Sequence, residues 1–323
     1  MTSTVRERDR VLVLGGTGFV GQSLCERLVQ RAWGSGRVRV PTRRLVRARD
    51  LLPLPTMELV QADVHDDAAL AALLPGCAAV VNLVAILHGR AADFERVHVA
   101  LPRRLAAACH ASGVHRVLHV SALGVGPDAP SHYLRSKAAG EAALQDAGLD
   151  LTILRPSLIY GAGDRLLNTF ADLQAWLPLI PLAGASARFQ PVWVEDVSAA
   201  LIAALARPDS IGSVIEAMGP DTLTLAEIVR RAGLWAGHAR PVLPLPAPIA
   251  RLQAALLALA PGDPLLSADN LRSLQVPSVA SGALPGLASL GIEPASIDAI
   301  GPVLLGARPT GRARFGAYRA RRS

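Results

Sequence analysis

After a charged N-terminal stretch, the chain opens on a short aliphatic run at 11–14 that ends in glycines. Apolar positions then recur at helical spacing, with Val20, Leu24 and Leu28 four apart. Strand-like runs follow at 37–40 and 57–61, then a short helix at 67–74 and a longer buried strand at 79–86. Between 94 and 111, apolar positions 97, 101, 105 and 108 trace one helical face. A strand at 116–121, a helix at 131–147 and a strand at 151–154 complete the series. Strands that alternate with helices build a parallel sheet covered on both faces. The expected fold class is α/β, a doubly wound parallel sheet of about seven strands with a small C-terminal α/β lobe.

Past Arg155 and Pro156 the regularity fades. Proline and glycine crowd 178–191, 241–248 and 261–264, while helical patterns persist at 195–206, 224–232 and 247–260. The pattern divides the chain into a sheet-bearing core at 1–155, a smaller irregular lobe packed on it at 156–307, and a basic tail at 308–323.

Hydrophobic residues make up 51% of the 323 positions and charged residues 18%, which excludes intrinsic disorder. Aromatics are only 4%, so the core must be aliphatic. Cys25, Cys77 and Cys109 lie too far apart for a metal motif or a disulfide framework and read as small buried residues in a reducing compartment. A metal-free site is expected. No secretory leader is visible, and no run of about 20 residues is free of both charge and helix breakers. The richest apolar segment, 241–260, is interrupted by Pro244, Pro246 and Pro248, and suits a membrane surface or a partner. The expected location is cytoplasmic, with peripheral attachment to the inner membrane as the alternative.

The net charge of +7 is unevenly spread. Residues 1–50 hold 11 Arg against 4 acids, and residues 308–323 hold 6 Arg and no acid. The basic tail, Arg308 to Arg322, suits a solvated or partner-docking role first and an anionic membrane surface second. Nucleic acid is not an expected partner, because no reading helix, zinc site or aromatic-basic motif accompanies the tail. Of 33 basic side chains 32 are Arg, so the place of the single lysine, Lys137, is informative.

The stretch 11–21, VLVLGGTGFVG, spaces Gly15, Gly18 and Gly21 three apart, directly after a strand and opening a helix. Glycines there let the backbone turn sharply and approach a pyrophosphate, whose charge sits at the helix N-terminus. The expected cradle is Gly15, Thr17, Gly18, Phe19, Val20 and Gly21. Dinucleotide sites usually carry an acid at the end of the second strand for the ribose 2′-hydroxyl. Here that strand ends in Arg43 and Arg44. Guanidinium groups match a 2′-phosphate by bidentate bonds, so NADP(H) is the expected ligand and NAD(H) the alternative.

Tyr133 and Lys137 are four apart near the start of a predicted helix and share one face. A nearby ammonium lowers a phenol's pKa, so that it can exchange a proton with a carbonyl or alcohol. The same ammonium can hold ribose hydroxyls. Ser121, at the end of the preceding predicted strand, is placed to bond the same substrate oxygen. His88, Asn82, Arg155, Gln190 and Trp193 are further candidates for the pocket wall.

With the glycine loop, Ser121 and Tyr133-x-x-x-Lys137 in hand, the chain resembles the short-chain dehydrogenase/reductase superfamily in its extended or atypical branch. Asp63 and Val64, the stretch 82–85 (NLVA), the stretch 154–161 (LRPSLIYG) and the stretch 190–197 (QPVWVEDV) match that branch. The resemblance implies a Rossmann fold of the epimerase/dehydratase type. It implies that Asp63 and Val64 edge the adenine, that Val84 and Ala85 follow the fourth strand at the nucleotide, and that Pro156 and Ser157 lie near the nicotinamide. Asp196 is expected to cap a helix at the lobe junction.

A narrower resemblance runs nearly end to end. The stretches 81–87 (VNLVAIL), 119–124 (HVSALG), 133–141 (YLRSKAAGE), 189–192 (FQPV), 268–275 (ADNLRSLQ) and 290–294 (LGIEP) are similar to the NAD(P)H-binding accessory subunit family of respiratory complex I and its bacterial relatives. That resemblance implies a tightly held NADPH, complex I subunits as partners and no established turnover. The proline-rich 241–248 departs from the pattern. The expected function is an NADP(H)-binding accessory or assembly subunit with a structural nucleotide. The alternative is an NADP-dependent oxidoreductase or epimerase/dehydratase acting on a small carbonyl, alcohol or quinone.

Overall fold

The structure, a computed structural model, describes Val5 and residues 9–32, 37–257 and 266–306. The basic tail and the turn-rich 261–264 therefore lie outside the described residues. The strands β1 (Arg10–Leu14), β2 (Arg37–Thr42), β3 (Met57–Gln61), β4 (Cys77–Asn82), β5 (Arg116–Val120), β6 (Asp150–Pro156) and β7 (Val214–Ala217) form one sheet, in the order β7-β6-β5-β4-β1-β2-β3. Every neighbouring pair is parallel. Chain order reverses between β1 and β4, which opens a crevice at their C-terminal ends. The edge strand β7 is drawn from beyond residue 155 and pairs with β6 from Val214 to Ala217.

The first half adds α1 (Phe19–Ala32), α2 (Asp67–Leu73), α3 (Leu101–Ser112) and α4 (His132–Gln145). Strand side chains alternate between two aliphatic layers, as a sheet buried on both faces requires. Val11, Val13, Val38, Val81 and Leu118 share one layer with Leu24 and Val29 of α1. Leu12, Leu14, Val80, Val117 and Ile153 share the other with Leu70, Leu101, Leu105 and Leu144 from α2, α3 and α4. Cys25, Cys77 and Cys109 are buried and unpaired.

Two expected boundaries shift for local reasons. The strand expected through 86 stops at Asn82, whose side-chain carbonyl accepts the Val84 N–H at 3.2 Å and turns the chain out of the sheet. The helix expected from 94 begins at Ala91–Phe94 and enters α3 through a π-helical turn, Glu95–Ala100. Pro102 has no N–H to return to the His98 carbonyl, and a wider turn absorbs the missing bond.

The rest of the chain adds α5 (Leu166–Trp176), α6 (Val194–Ala206), α7 (Leu225–Trp235), α8 (Ala247–Leu257), α9 (Ala268–Ser273) and α10 (Ile297–Gly306). Val197, Leu201 and Leu205 of α6 pack beside α1 under the first layer. The other helices hold smaller clusters, with Leu167, Ile228, Ala232, Ile297 and Leu305 at the centre of one. Three two-stranded pairs stitch the lobe together, Ile159–Tyr160 with Val192–Trp193, Arg188–Phe189 with Leu223–Thr224, and Ile180–Leu182 with Val242–Pro244. Among the described residues, no helix is long and apolar enough to cross a membrane.

Candidate active site

The glycine loop joins β1 to α1 at the reversal point of the sheet. Gly15 has φ +84°, and a Cβ there would meet the backbone of Leu83 and Val84, where the chain leaves β4, at 3.2 Å. Gly21 is tighter still, because its Cβ would lie 2.3 Å from the Gly15 oxygen and 2.5 Å from the Gly16 Cα. Gly18 donates its N–H to Gly15 O at 2.9 Å and closes the turn. Thr17 is half-buried in the loop, and Phe19 and Val20 form the first turn of α1, where amides lack intrahelical acceptors. Gly16 was not singled out from the sequence. A Cβ there would come within 2.8 Å of both Val40 methyl groups, so the loop can lie on β2 only as glycine.

Around this loop stand the other expected nucleotide contacts. Arg43 and Arg44 are exposed just beyond β2, where the Thr42 hydroxyl accepts the Arg44 N–H at 3.3 Å and donates to its carbonyl at 3.1 Å. Asp63 is exposed past the end of β3 and turns the chain by accepting the His65 N–H at 3.0 Å. Val64 and Val84 are half-buried against the second core layer, and Ala85 is exposed. Pro156 and Ser157 are buried at the end of β6. The Ser157 hydroxyl is committed within the protein, donating to Ser278 O at 2.6 Å and accepting the Gln190 N–H at 3.1 Å.

Tyr133 and Lys137 occupy the first turns of α4, whose start is fixed by Ser131 accepting the Leu134 N–H at 3.1 Å. Lys137 is 1% exposed and donates from Nζ to Val120 O at 2.6 Å, at the last residue of β5. Burial pulls its pKa down to about 8, with Glu141 acting in the opposite sense. Ser121 follows immediately, buried, and its hydroxyl has no partner among the described residues. Tyr133 packs edge-on against Phe94 and His98, with ring centroids 6.3 and 5.5 Å away. The expectation of a lowered phenol pKa is not met. Burial pushes Tyr133 up to about 12, while the ammonium of Lys137 is turned to the Val120 carbonyl.

Two histidines complete the buried wall, and sequence reasoning assigned a role to neither, although His119 opens the stretch 119–124. Nε2 of His98 accepts the Ile86 N–H at 3.1 Å, so its proton sits on Nδ1, which donates to Ser136 Oγ at 2.9 Å. Ser136 in turn donates to the Tyr133 carbonyl at 2.9 Å. Burial and Lys137 lower the His98 pKa to about 3. His119 pairs across the sheet with Asn82, whose amide donates to His119 Nδ1 at 3.2 Å. Its Nε2 is buried and unpartnered among the described residues, and its pKa falls well below the ordinary value through burial, Lys137 and His98. A single histidine in an aliphatic stretch gives no sequence signal of such a network.

Of the remaining candidates for the pocket wall, Arg155 and Gln190 are drawn into structural bonds. Arg155 donates to both carboxylate oxygens of the buried Glu141, at 2.9 and 2.5 Å. Gln190 accepts the Ala280 N–H through its side chain. Trp193 precedes α6 without a side-chain capping bond, and His88 is half-buried past β4. Asp196 is not the cap expected of it. It lies in the first turn of α6, and its carboxylate accepts the Ala295 N–H at 2.9 Å, tying the helix to the segment before α10.

These features fit a dinucleotide. Glycine backbone stands where a Cβ would fill the cradle, and the buried Ser121 hydroxyl lacks a partner among the described residues. Residues 11–217 match the model of the NAD dependent epimerase/dehydratase family. NADH dehydrogenase (ubiquinone) 1 alpha subcomplex subunit 9, mitochondrial, of Mus musculus is 30% identical over 295 residues, covering 88% of this chain and 77% of its own. Ceramide reductase of Caulobacter vibrioides is 33% identical over 246 residues, covering 75% of each chain. The structure of WbmF from Bordetella bronchiseptica in complex with NADH superposes with a TM-score of 0.62 at 20% identity, over 85% of this chain and 88% of that one, a likeness of fold. With the matched stretch running from β1 to the end of β7, the chain belongs to the NAD dependent epimerase/dehydratase family.

Proposed function

We propose that this protein is an NADP(H)-dependent oxidoreductase that reduces a carbonyl or quinone substrate, with Ser121, Tyr133 and Lys137 as its working groups. The observation that carries the reading is the unpartnered Ser121 hydroxyl beside the Lys137 anchor at the end of β5, one helical turn from Tyr133. The similarity to a protein named ceramide reductase supports it. Arg43 and Arg44 at the end of β2, where an acid would serve NAD, support NADP(H) as the ligand.

NADPH, when bound, would supply the hydride for a carbonyl carbon. The Ser121 hydroxyl donates a hydrogen bond to the carbonyl oxygen, and the Tyr133 phenol gives that oxygen its proton, so that an alcohol forms. A phenol held near pKa 12 is fully protonated at neutral pH, which suits it to be the acid of a reduction. Lys137, protonated below about 8 and anchored on Val120 O one helical turn from Tyr133, would offer its remaining N–H groups to the ribose hydroxyls. Glycines 15, 18 and 21 with Thr17, Phe19 and Val20 would hold the pyrophosphate, Asp63, Val64, Val84 and Ala85 would flank the adenine side, and Pro156 and Ser157 would shape the nicotinamide end.

A second reading is favoured by the similarity to the complex I subunit. In it the protein is an accessory or assembly subunit of respiratory complex I, and NADPH is a fixed ligand that stabilises the fold by binding only the native state. The basic tail would then meet complex I subunits or the membrane surface. One pair of measurements separates the readings. Titration with NADPH and NADH tests the cofactor, and equal affinities would remove the NADP assignment. Tyr133→Phe keeps the ring and should leave NADPH affinity unchanged while lowering turnover by about 10²–10⁴-fold. A wild-type protein that holds NADPH, copurifies with complex I subunits and reduces no carbonyl or quinone would establish the accessory role instead.

A further inference from the structure

We propose that Asp269 is a positioning residue for Tyr133, delivered to the site by a strap, residues 267–281, that runs along the C-terminal edge of the sheet. This inference rests on the oxidoreductase reading above. The Asp269 carboxylate accepts the backbone N–H of His132 at 2.8 Å and of Tyr133 at 3.0 Å. These are the first two amides of α4, and Ser131 takes the third, from Leu134. Three of the orphan donors at the start of the helix are thus satisfied, two of them by a residue more than a hundred positions away in sequence. Asp269 is 8% exposed, so water competes poorly for these bonds. Arg272, one turn further along α9, lies 3.7 Å from the same carboxylate and helps to hold it.

The strap is fastened beyond the ends of successive strands. Asn270 donates to Leu87 O at 3.1 Å, beyond β4. Val276 fills the space above Gly124, past β5, where a Cβ would come within 2.8 Å of its methyl group. Ser278 O takes the Ser157 hydroxyl at 2.6 Å, beyond β6, and Ser281 N–H reaches the Glu216 carboxylate of β7 at 2.9 Å. Ser267 and Asn270 close a capping box at the start of α9, which makes the segment carrying Asp269 rigid in itself. Ligands of doubly wound sheets bind along this edge.

Tyr133 therefore has its backbone held on both sides. Its N–H is bound by Asp269, and its carbonyl accepts from Ser136, which His98 orients. The phenol must meet a substrate oxygen at hydrogen-bond distance, and misplacement of a reacting group by about 1 Å can cost on the order of 10²-fold in rate. Lys137 is held separately, through Val120 O. Loss of Asp269 should therefore disturb the proton donor while sparing nucleotide affinity.

The experiment compares wild type, Asp269→Asn and Asp269→Ala in the full-length protein. The readouts are NADPH affinity, kcat and KM for reduction of 9,10-phenanthrenequinone, and amide hydrogen exchange of residues 131–137 by mass spectrometry. Asp269→Ala should lower kcat by about 10–100-fold with KM and NADPH affinity within about twofold, and should speed exchange at 131–137. Asp269→Asn, which keeps one acceptor oxygen, should fall between the two. If kcat is unchanged in both variants, or falls only together with NADPH affinity and melting temperature, Asp269 is merely structural and the proposal fails. If wild type turns over no quinone, the oxidoreductase reading is what fails for this substrate. Exchange then decides the positioning role, and unaltered exchange at 131–137 in Asp269→Ala overturns it.

Discussion

At the glycine loop, the contacts that matter are close approaches of the glycine backbone, where Gly21 lies against Gly15 and Gly16, Gly15 against the backbone of Leu83 and Val84, and Gly16 against Val40. Around Tyr133 the partners arrive from far apart in the chain, Phe94 and His98 from the turn before α3, Ser136 from α4 itself and Asp269 from α9. The first end tolerates no side chain. The second end is made of side chains, nearly all of them polar, buried and hydrogen-bonded. A backbone cradle is held by close packing, since the atoms around Gly15, Gly16 and Gly21 leave no room for a Cβ. A polar network is rigid only when every member is satisfied, and Ser121 and His119 each retain a buried polar atom without a partner among the described residues.

The largest effect should come from breaking the backbone end. In Gly21→Ala the new methyl group meets backbone atoms at 2.3 and 2.5 Å, and these atoms cannot swing aside. Overpacking of a dense site costs about 1–3 kcal/mol, and here the displaced atoms are the cradle itself. NADPH binding by calorimetry should be lost, with a lower melting temperature. Retained affinity would show that the loop is more pliant than the contact implies.

That contrast also explains what the sequence could disclose. The glycine spacing, the strand before it and the helix after it are local, so GxxGxxG could be read directly from 11–21. Tyr133 and Lys137 were visible for the same reason, since one helical turn sets their separation. His98 and His119 were not, because their roles depend on Ile86, Ser136 and Asn82, which only the fold brings beside them. Asp269 lay in a stretch singled out for its resemblance, yet no local rule connects residue 269 to the start of α4. The lobe was legible at 195–206 and 224–232, where apolar positions recur regularly and α6 and α7 form. It was illegible at α5 and α10, where the amphipathic signal is blurred by the high apolar content of 166–176 and by Pro302 inside the last helix.

A smaller effect should sharpen the comparison at the rim of the backbone end, where side chains take over from amides. Arg43 and Arg44 are exposed past β2, so replacing both by alanine should leave the fold untouched. A charge-assisted bond to phosphate is worth about 1.5–3 kcal/mol, so NADPH affinity should drop roughly 10–100-fold while NADH affinity stays level. Parallel calorimetric titrations check this. A loss of equal size for both nucleotides would assign the arginines to the pyrophosphate or to general attraction.

The last effect is expected in acid, and it should belong to the Tyr133 end, since the glycine loop contains no histidine. His98 is held neutral, its pKa lowered from 6.5 to about 3, and His119 is lowered in the same direction. Below 6.5 the unfolded chain takes up protons that the folded protein refuses, so stability is full above that value and falls as pH drops toward the folded pKa. At pH 5 His98 should cost about 2 kcal/mol, from one and a half pH units at 1.36 kcal/mol per unit, and His119 acts in the same direction. Protonation would also place a hydrogen on His98 Nε2, directly against the Ile86 N–H it now accepts. His98→Gln can accept from Ile86 and donate to Ser136 without titrating. Melting temperatures at pH 7.5 and pH 5 should therefore diverge less in His98→Gln than in wild type. An undiminished acid sensitivity in that variant would move the effect away from the Tyr133 wall and remove the contrast between the two ends of the cleft.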